Sequence, residues 1–333
     1  MNAPFLSDQL TLETALNAFA SSRSNEVFYP SLGHQDALDR LPLLATPGSL
    51  VVISGESGIG KTLLVQIAVS SFTTAIVPVI AGPVEEAHTD VRFLRSLIVA
   101  TGNQPLGRTG LSLTAEFLDW TAAVAASART AVIIVDDAHR RSGTQLEILR
   151  TLLASASPAT PLSLLLLGEP DLLDRLQRKR NLSRRVSLHY ALNPLSHLDG
   201  ANLIAHRLKV AGLQPEDVVT EPARQLLSGL AAGNPEQMIR LTRRLLELAP
   251  WSSGALGTAD IVDVFGETAS ESLARPNGSV HGHDADSFLK GGDVMNKTRN
   301  PQGARHANVA VPGNEKTGAP TPDSSMDSNR LSG

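Results

Sequence analysis

The residues best suited to chemistry lie in one octapeptide, Gly55-Glu56-Ser57-Gly58-Ile59-Gly60-Lys61-Thr62, which fits the spacing GxxxxGK[ST]. Glycines at these positions let successive backbone N–H groups turn inward around a polyphosphate, and a helix starting just after the loop would add a favourable dipole. Lys61 would then reach the β- and γ-phosphates, and Thr62 would ligate magnesium through its hydroxyl. The spacing is specific because it follows an apolar strand, Leu50 to Ser54, and precedes a helical pattern.

A second magnesium-side group is needed, and the apolar run Ala131-Val-Ile-Ile-Val ends in Asp136-Asp137-Ala138-His139. Asp136, at the strand's C-terminal end, would hold the metal through water, so Thr62 and Asp136 are the expected metal-side pair. Asp137 stands where a carboxylate would polarise an attacking water, although two acidic residues after a strand also start an ordinary turn. The next apolar run, Leu162 to Leu167, ends in Gly168-Glu169-Pro170. Glu169 could orient the lytic water or sense the γ-phosphate, or it could simply open a helix in a Glu-Pro turn.

These side chains converge only if the strands carrying them lie side by side. Continuous apolar runs at Leu50 to Ile53, Ala75 to Ile80, Ala131 to Val135 and Leu162 to Leu167 alternate with helical patterns at Thr62 to Ser70, Val91 to Ala100 and Thr114 to Ala126. Fully apolar strands alternating with helices predict an α/β fold, a parallel sheet covered by helices on both faces. From Pro194 the strand signal gives way to helices at Ser196 to Val210, Glu221 to Leu230 and Pro235 to Leu248, a small all-α lid. Gly and Pro concentrate beyond residue 271, where aliphatics are few, so a disordered tail is expected there. The expected organisation is an N-terminal helical extension over residues 1–28, a nucleotide-binding domain over 29–193, the lid over 194–267 and the tail over 268–333.

Composition narrows the chemistry. With no cysteine, thiolate metal sites, disulfides and a cysteine nucleophile are excluded. No apolar run approaches the roughly 20 residues of a membrane span, and Met1-Asn-Ala-Pro-Phe-Leu-Ser-Asp has no basic leader region, so a cytoplasmic location is expected. A formal charge of −4 argues against indiscriminate nucleic-acid binding. His281, His283 and His306 fall in the loose tail and are not expected to hold metal.

At this point the residues resemble AAA+ P-loop ATPases of the ExeA-like group, which includes the TnsC and TniB transposition regulators. The likeness runs from about Tyr29 to Leu248 and rests on Tyr29-Pro-Ser-Leu-Gly-His-Gln-Asp-Ala-Leu, the phosphate loop, Val135-Asp-Asp-Ala-His, Leu166-Leu-Gly-Glu-Pro-Asp-Leu, Asn193-Pro-Leu-Ser, His206-Arg-Leu-Lys-Val-Ala-Gly-Leu and Gly233-Asn-Pro. Asp-Asp-Ala with Gly-Glu-Pro is also similar to the ATPase portion of DamX-like proteins. The resemblance implies ATP and Mg2+ as cofactors, self-association into an oligomer, and a neighbour's arginine reaching the bound γ-phosphate. It makes Lys61, Asp136, Asp137, Glu169 and Arg185 the expected catalytic residues. Arg185 matches an arginine before the last sheet strand, with Arg184 second.

Three positions depart from that pattern: Asp137 replaces a glutamate, Glu169 a glutamine, and Glu236 the lid arginine. An acid where a phosphate-sensing arginine is expected argues for slow hydrolysis, since like charges repel. Arg240, one helical turn later, could present its guanidinium on a similar face. The run Arg175, Arg178, Lys179, Arg180, Arg184 and Arg185 contains no acid from 175 to 185; it reads as the arginine finger, as a solvated face, or as a DNA-phosphate patch. The functional expectation is an ATP-hydrolysing protein coupling nucleotide state to oligomerisation or to docking of a protein partner, in secretion or at the cell envelope. The alternatives are a nucleotide-dependent binding switch with little turnover and a DNA-targeting regulator.

Overall fold

Apolar runs with no polar face can satisfy themselves only between two layers of helices, and the chain does this. The computed structural model describes residues 3–20, 25–72, 74–178, 180–249, 254–266 and 269. The Gly/Pro-rich tail from residue 270, with His281, His283 and His306, lies outside the described residues, as does Lys179.

In chain order, α1 (Ala3–Ala18) and α2 (Leu32–Arg40) lead into β1 (Leu50–Ser54), and α3 (Lys61–Ser71) follows the phosphate loop. Then come β2 (Ile76–Ile80), α4 (Asp90–Ala100), α5 (Gly110–Ala125), β3 (Thr130–Val135), α6 (Gly143–Ala154) and β4 (Leu162–Gly168). The short α7 (Asp171–Arg178) and α8 (Arg180–Ser183) lead to β5 (Val186–Ala191). The lid comprises α9 (His197–Val210), α10 (Pro215–Val218), α11 (Glu221–Leu230), α12 (Pro235–Leu248) and α13 (Thr258–Phe265).

The five strands are parallel in the order β2-β3-β4-β1-β5. Side chains alternate across the pleat, so one parity of each central strand enters one core and the other parity a second core. Leu50, Val52, Ile133, Leu164 and Leu166 pack with Phe93, Leu97 and Phe117 of α4 and α5. Val51, Ile53, Ile134, Leu165 and Leu167 pack with Leu64 of α3 and Ala37 of α2 on the opposite face. The central strands β1, β3 and β4 are buried along their full length, which is why they read as unbroken apolar runs.

The edge strands obey a different rule. In β5, Val186, Leu188 and Tyr190 are half-buried while Ser187, His189 and Ala191 are exposed, and an alternating strand of this kind leaves no apolar run to find. In β2, Pro78 lacks an N–H and is tolerated because β2 pairs only with β3.

The lid has its own apolar core, built from Leu203, Ile204, Leu208, Leu227, Met238, Leu241 and Leu245. Residues 1–28 contribute to it directly: Ala15, Ala18 and Phe19 at the end of α1 are buried in that core. Arg207 of α9, 4% exposed, donates from Nη1 to the Ala18 carbonyl at 2.9 Å, so its charge meets the carbonyl end of α1. Between α9 and α11 the backbones approach so closely that a Cβ on Gly200 would overlap Ser228 Oγ. Gly200→Ala should therefore destabilise the lid by about 1–3 kcal/mol, read as a lowered urea midpoint; an unchanged midpoint would show that the two helices have room to part.

Candidate functional site

Residues 55–60 turn from the end of β1 into the start of α3, with Gly58 and Gly60 at φ 77° and 101°. At Gly58 a side chain is excluded twice, by the left-handed backbone and by Glu236 Oε2 and Asn234 Oδ1, which would lie 2.7 and 2.8 Å from its Cβ. The carbonyls of the loop all find donors. Lys61 Nζ donates to Gly55 O and Glu56 O, each at 2.7 Å. Asn234 Nδ2 donates to Ser57 O at 2.8 Å, the Glu236 amide to Gly58 O at 3.2 Å, and His34 Nε2 to Ile59 O at 3.1 Å.

His34 is positioned by Ser31, which caps α2 by accepting the His34 amide. Ser31 Oγ also lies 2.6 Å from His34 Nδ1. Because Nε2 faces a carbonyl it must carry the proton, which leaves Nδ1 to accept from the serine hydroxyl. Burial pushes the His34 imidazole below its ordinary value, while the Ile59 carbonyl and the Asp199 carboxylate act in the opposite sense. Burial likewise lowers Lys61, opposed by the carboxylates of Glu169, Asp136, Asp137 and Glu56 in that order.

The expected metal-side pair is together: Thr62 Oγ1 donates to Asp136 Oδ2 at 2.6 Å, and Asp136 Oδ1 accepts the Asp137 amide at 2.9 Å. Asp137 itself adopts φ 49°, a conformation that aspartate tolerates better than most residues. Its carboxylate lies 3.6 Å from Arg140 Nη1, and Arg140 also pairs with Glu85 at 2.5 Å. Glu169 is held by a residue that sequence reasoning did not single out: His139 Nδ1 accepts the Glu169 amide at 3.3 Å, and His139 Nε2 lies 3.7 Å from Glu169 Oε1.

These groups open onto a cavity of about 620 Å3 between the C-terminal sheet edge and the lid. Lys61, Thr62, Asp137 and Glu169 line one side; Phe28, Tyr29, Ile239, Arg240 and Arg243 line the rest, with Glu236 at the loop. Arg240 therefore faces the same cavity as Lys61, and so does Arg243, which also pairs with Glu247. Arg184 and Arg185 do not join them. Both are exposed in the turn before β5, at the opposite end of a parallel sheet from the phosphate loop. Of the rest of the basic run, Arg178 is exposed and Arg175 donates to the Arg141 carbonyl.

Residues 45–176 match the family model described as "AAA domain", and with the loop and sheet above the chain carries an AAA domain. It is 31% identical over 251 residues to the general secretion pathway protein A of Aeromonas hydrophila, an alignment spanning 73% of this chain and 44% of that protein. The chain thus spans less than half the length of this curated relative. Among solved structures it is similar to the Aeropyrum pernix ORC2 protein in its ADP form, with TM-score 0.54, 15% identity, and coverage of 83% of this chain and 72% of that one. Cdc6p from Pyrobaculum aerophilum gives TM-score 0.51 at 14% identity, covering 82% and 70%. At such identities the likeness is one of fold.

His34 also supplies a pH test. A histidine whose folded value is depressed contributes stability that is complete above its unfolded value of about 6.5 and is lost as the pH falls through the folded value. Wild type should therefore lose stability relative to His34→Gln as the pH falls below about 6.5. Parallel stability curves for the two proteins would show that another group titrates.

Proposed function

We propose that this chain binds ATP at Gly55 to Thr62 and hydrolyses it slowly, coupling the nucleotide state to self-association or to docking of a protein partner. The observation that supports this best is the convergence of Lys61, Thr62, Asp137 and Glu169 around one cavity bordered by the lid, with Asp136 bonded to Thr62. Thr62 and Asp136 offer hard oxygen donors 2.6 Å apart, a set that suits Mg2+, which takes few protein ligands and keeps several waters. Held there, the ion would supply neutralising charge beside the β- and γ-phosphate oxygens.

The protein's own part is positioning and electrostatics rather than covalent catalysis. Lys61, now shared between two loop carbonyls, has the charge and reach to meet the γ-phosphate. Asp137 or Glu169 would orient a water whose oxygen bonds to the γ-phosphorus as the bond to the β–γ bridging oxygen breaks. That electron pair leaves with ADP, and the water's proton passes to the carboxylate or to the departing phosphate. Arg240 and Arg243 are placed to balance phosphate charge from the lid, offsetting Glu236. Arg185, exposed and remote from its own cavity, suits a role on a neighbour's nucleotide.

A second reading, a binding switch with little turnover, is favoured by Asp137 being drawn toward Arg140 and by Glu236 standing against the loop. The similarity to a protein named for general secretion supports a role in secretion or envelope assembly, from the cytoplasmic side; among the described residues no helix is long and apolar enough to cross a membrane. A DNA-targeting role is supported less, since Arg175 is tied to the Arg141 carbonyl and the net charge is −4.

Phosphate release by wild type, Lys61→Ala, Asp136→Asn and Asp137→Asn tests the reading. Each variant should lose about a hundredfold in rate, the scale of one lost electrostatic group in an active site, and Lys61→Ala should also lose MgATP affinity. Equal background rates in all four proteins overturn hydrolysis; MgATP binding with self-association at those rates would then establish the switch.

A further inference from the structure

In a trans peptide the C=O and N–H point in opposite directions. Pinning a carbonyl on the outside of a loop therefore aims the next residue's N–H inward. Along residues 55–60 five successive carbonyls are each held by a donor, and the donors come from four places: Lys61, from the cavity side, for Gly55 and Glu56, Asn234 for Ser57, the Glu236 amide for Gly58, and His34 for Ile59. Two of the five peptides are thus held by the lid, 177 residues away in sequence for the Ser57–Asn234 contact.

From this we infer that Asn234 is a positioning residue for phosphate binding: the lid clasps the Ser57 carbonyl and so aims the Gly58 N–H into the phosphate site. The Ser57–Gly58 peptide needs holding, because a glycine partner lets a peptide flip cheaply. A flip would turn a carbonyl oxygen toward the phosphates. The amide of Asn234 is oriented without ambiguity. Its Oδ1 accepts the Glu236 and Gln237 amides at 3.1 and 3.2 Å as the cap of α12, so Nδ2 must face Ser57.

The coupling runs both ways, because a contact that favours phosphate binding is itself favoured by phosphate. Lid docking and the shape of the phosphate site are then one equilibrium. This inference rests on the nucleotide-binding reading given above and adds to it the residue through which the lid acts.

The double use of one side chain makes the test clean. Asn234→Asp and Asn234→Ser keep an oxygen that caps α12, but the carboxylate cannot donate and the serine cannot reach Ser57. Affinities for MgATP and for magnesium tripolyphosphate, which fills only the phosphate site, would be measured by calorimetry on the full chain, with hydrogen exchange at the Glu236 amide. Both variants should fold with an intact lid by circular dichroism, and should weaken the two ligands by the same factor of about fivefold, the scale of one net hydrogen bond. Tripolyphosphate should slow exchange of the Glu236 amide in wild type and not in Asn234→Asp. If wild type binds both ligands and the variants bind as tightly, the clasp is overturned while nucleotide binding stands. If wild type binds neither, the nucleotide reading falls and the clasp with it.

Discussion

Five successive carbonyls of the phosphate loop each meet a donor, and those donors come from three separate helices. Where such a carbonyl is buried, as at Gly55 and Ile59, leaving it without a donor costs about as much as a lost hydrogen bond. The donors here are an ammonium at the start of α3, an imidazole on α2, and an amide side chain and backbone N–H at the start of α12. The sheet fixes where the loop begins, since β1 is the strand between β4 and β5. It does not fix which way the peptides face; elements on both sides of the loop do that.

The same arrangement governs the charges. Lys61 is 7% exposed, and burial alone would push it toward neutrality, yet four carboxylates surround it and oppose that shift. Thr62, Asp136 and the Asp137 amide form a chain of contacts at the end of β3, and His139 carries it on to Glu169 at the end of β4. Adjacent parallel strands end side by side, so acids at consecutive strand ends gather without any long loop. His139 links the two ends because a three-residue helical turn, Ala138–Arg140, places it over Gly168 and Glu169.

Much of this was legible in the sequence, and the rest was hidden for physical reasons. The central strands announced themselves as apolar runs because both faces are buried, and the phosphate loop because its glycines are conformational necessities. Asp136 and Glu169 followed from being the first polar residues after those strands. The strand β5 left no run because an edge strand is half exposed, and it was expected only through resemblance. The roles of His34 and Asn234 left no local signal at all. Asn234 before Pro235 reads as a helix cap, which it is, and nothing nearby shows that its other atom serves a loop 177 residues earlier. His139 was visible as part of Asp-Asp-Ala-His, but its contact with Glu169 depends on how β3 and β4 pair.

Glu236 looked like a misplaced charge, an acid where a phosphate-binding arginine was expected, and its position changes that view. It belongs to the first turn of α12, where a carboxylate is favoured by the positive end of the helix dipole. The helix end is equivalent to about half a positive charge, so it offsets part of the carboxylate's full negative one. One and two turns further along, Arg240 and Arg243 bring positive charge to the same cavity, farther from the loop. At the loop itself the lid offers a geometric contact through Asn234. On the nucleotide-binding reading proposed above, such a lid would meet phosphate by shape at its N-terminal turn and by charge along its length, which suits an output of changed lid position more than a high rate of turnover.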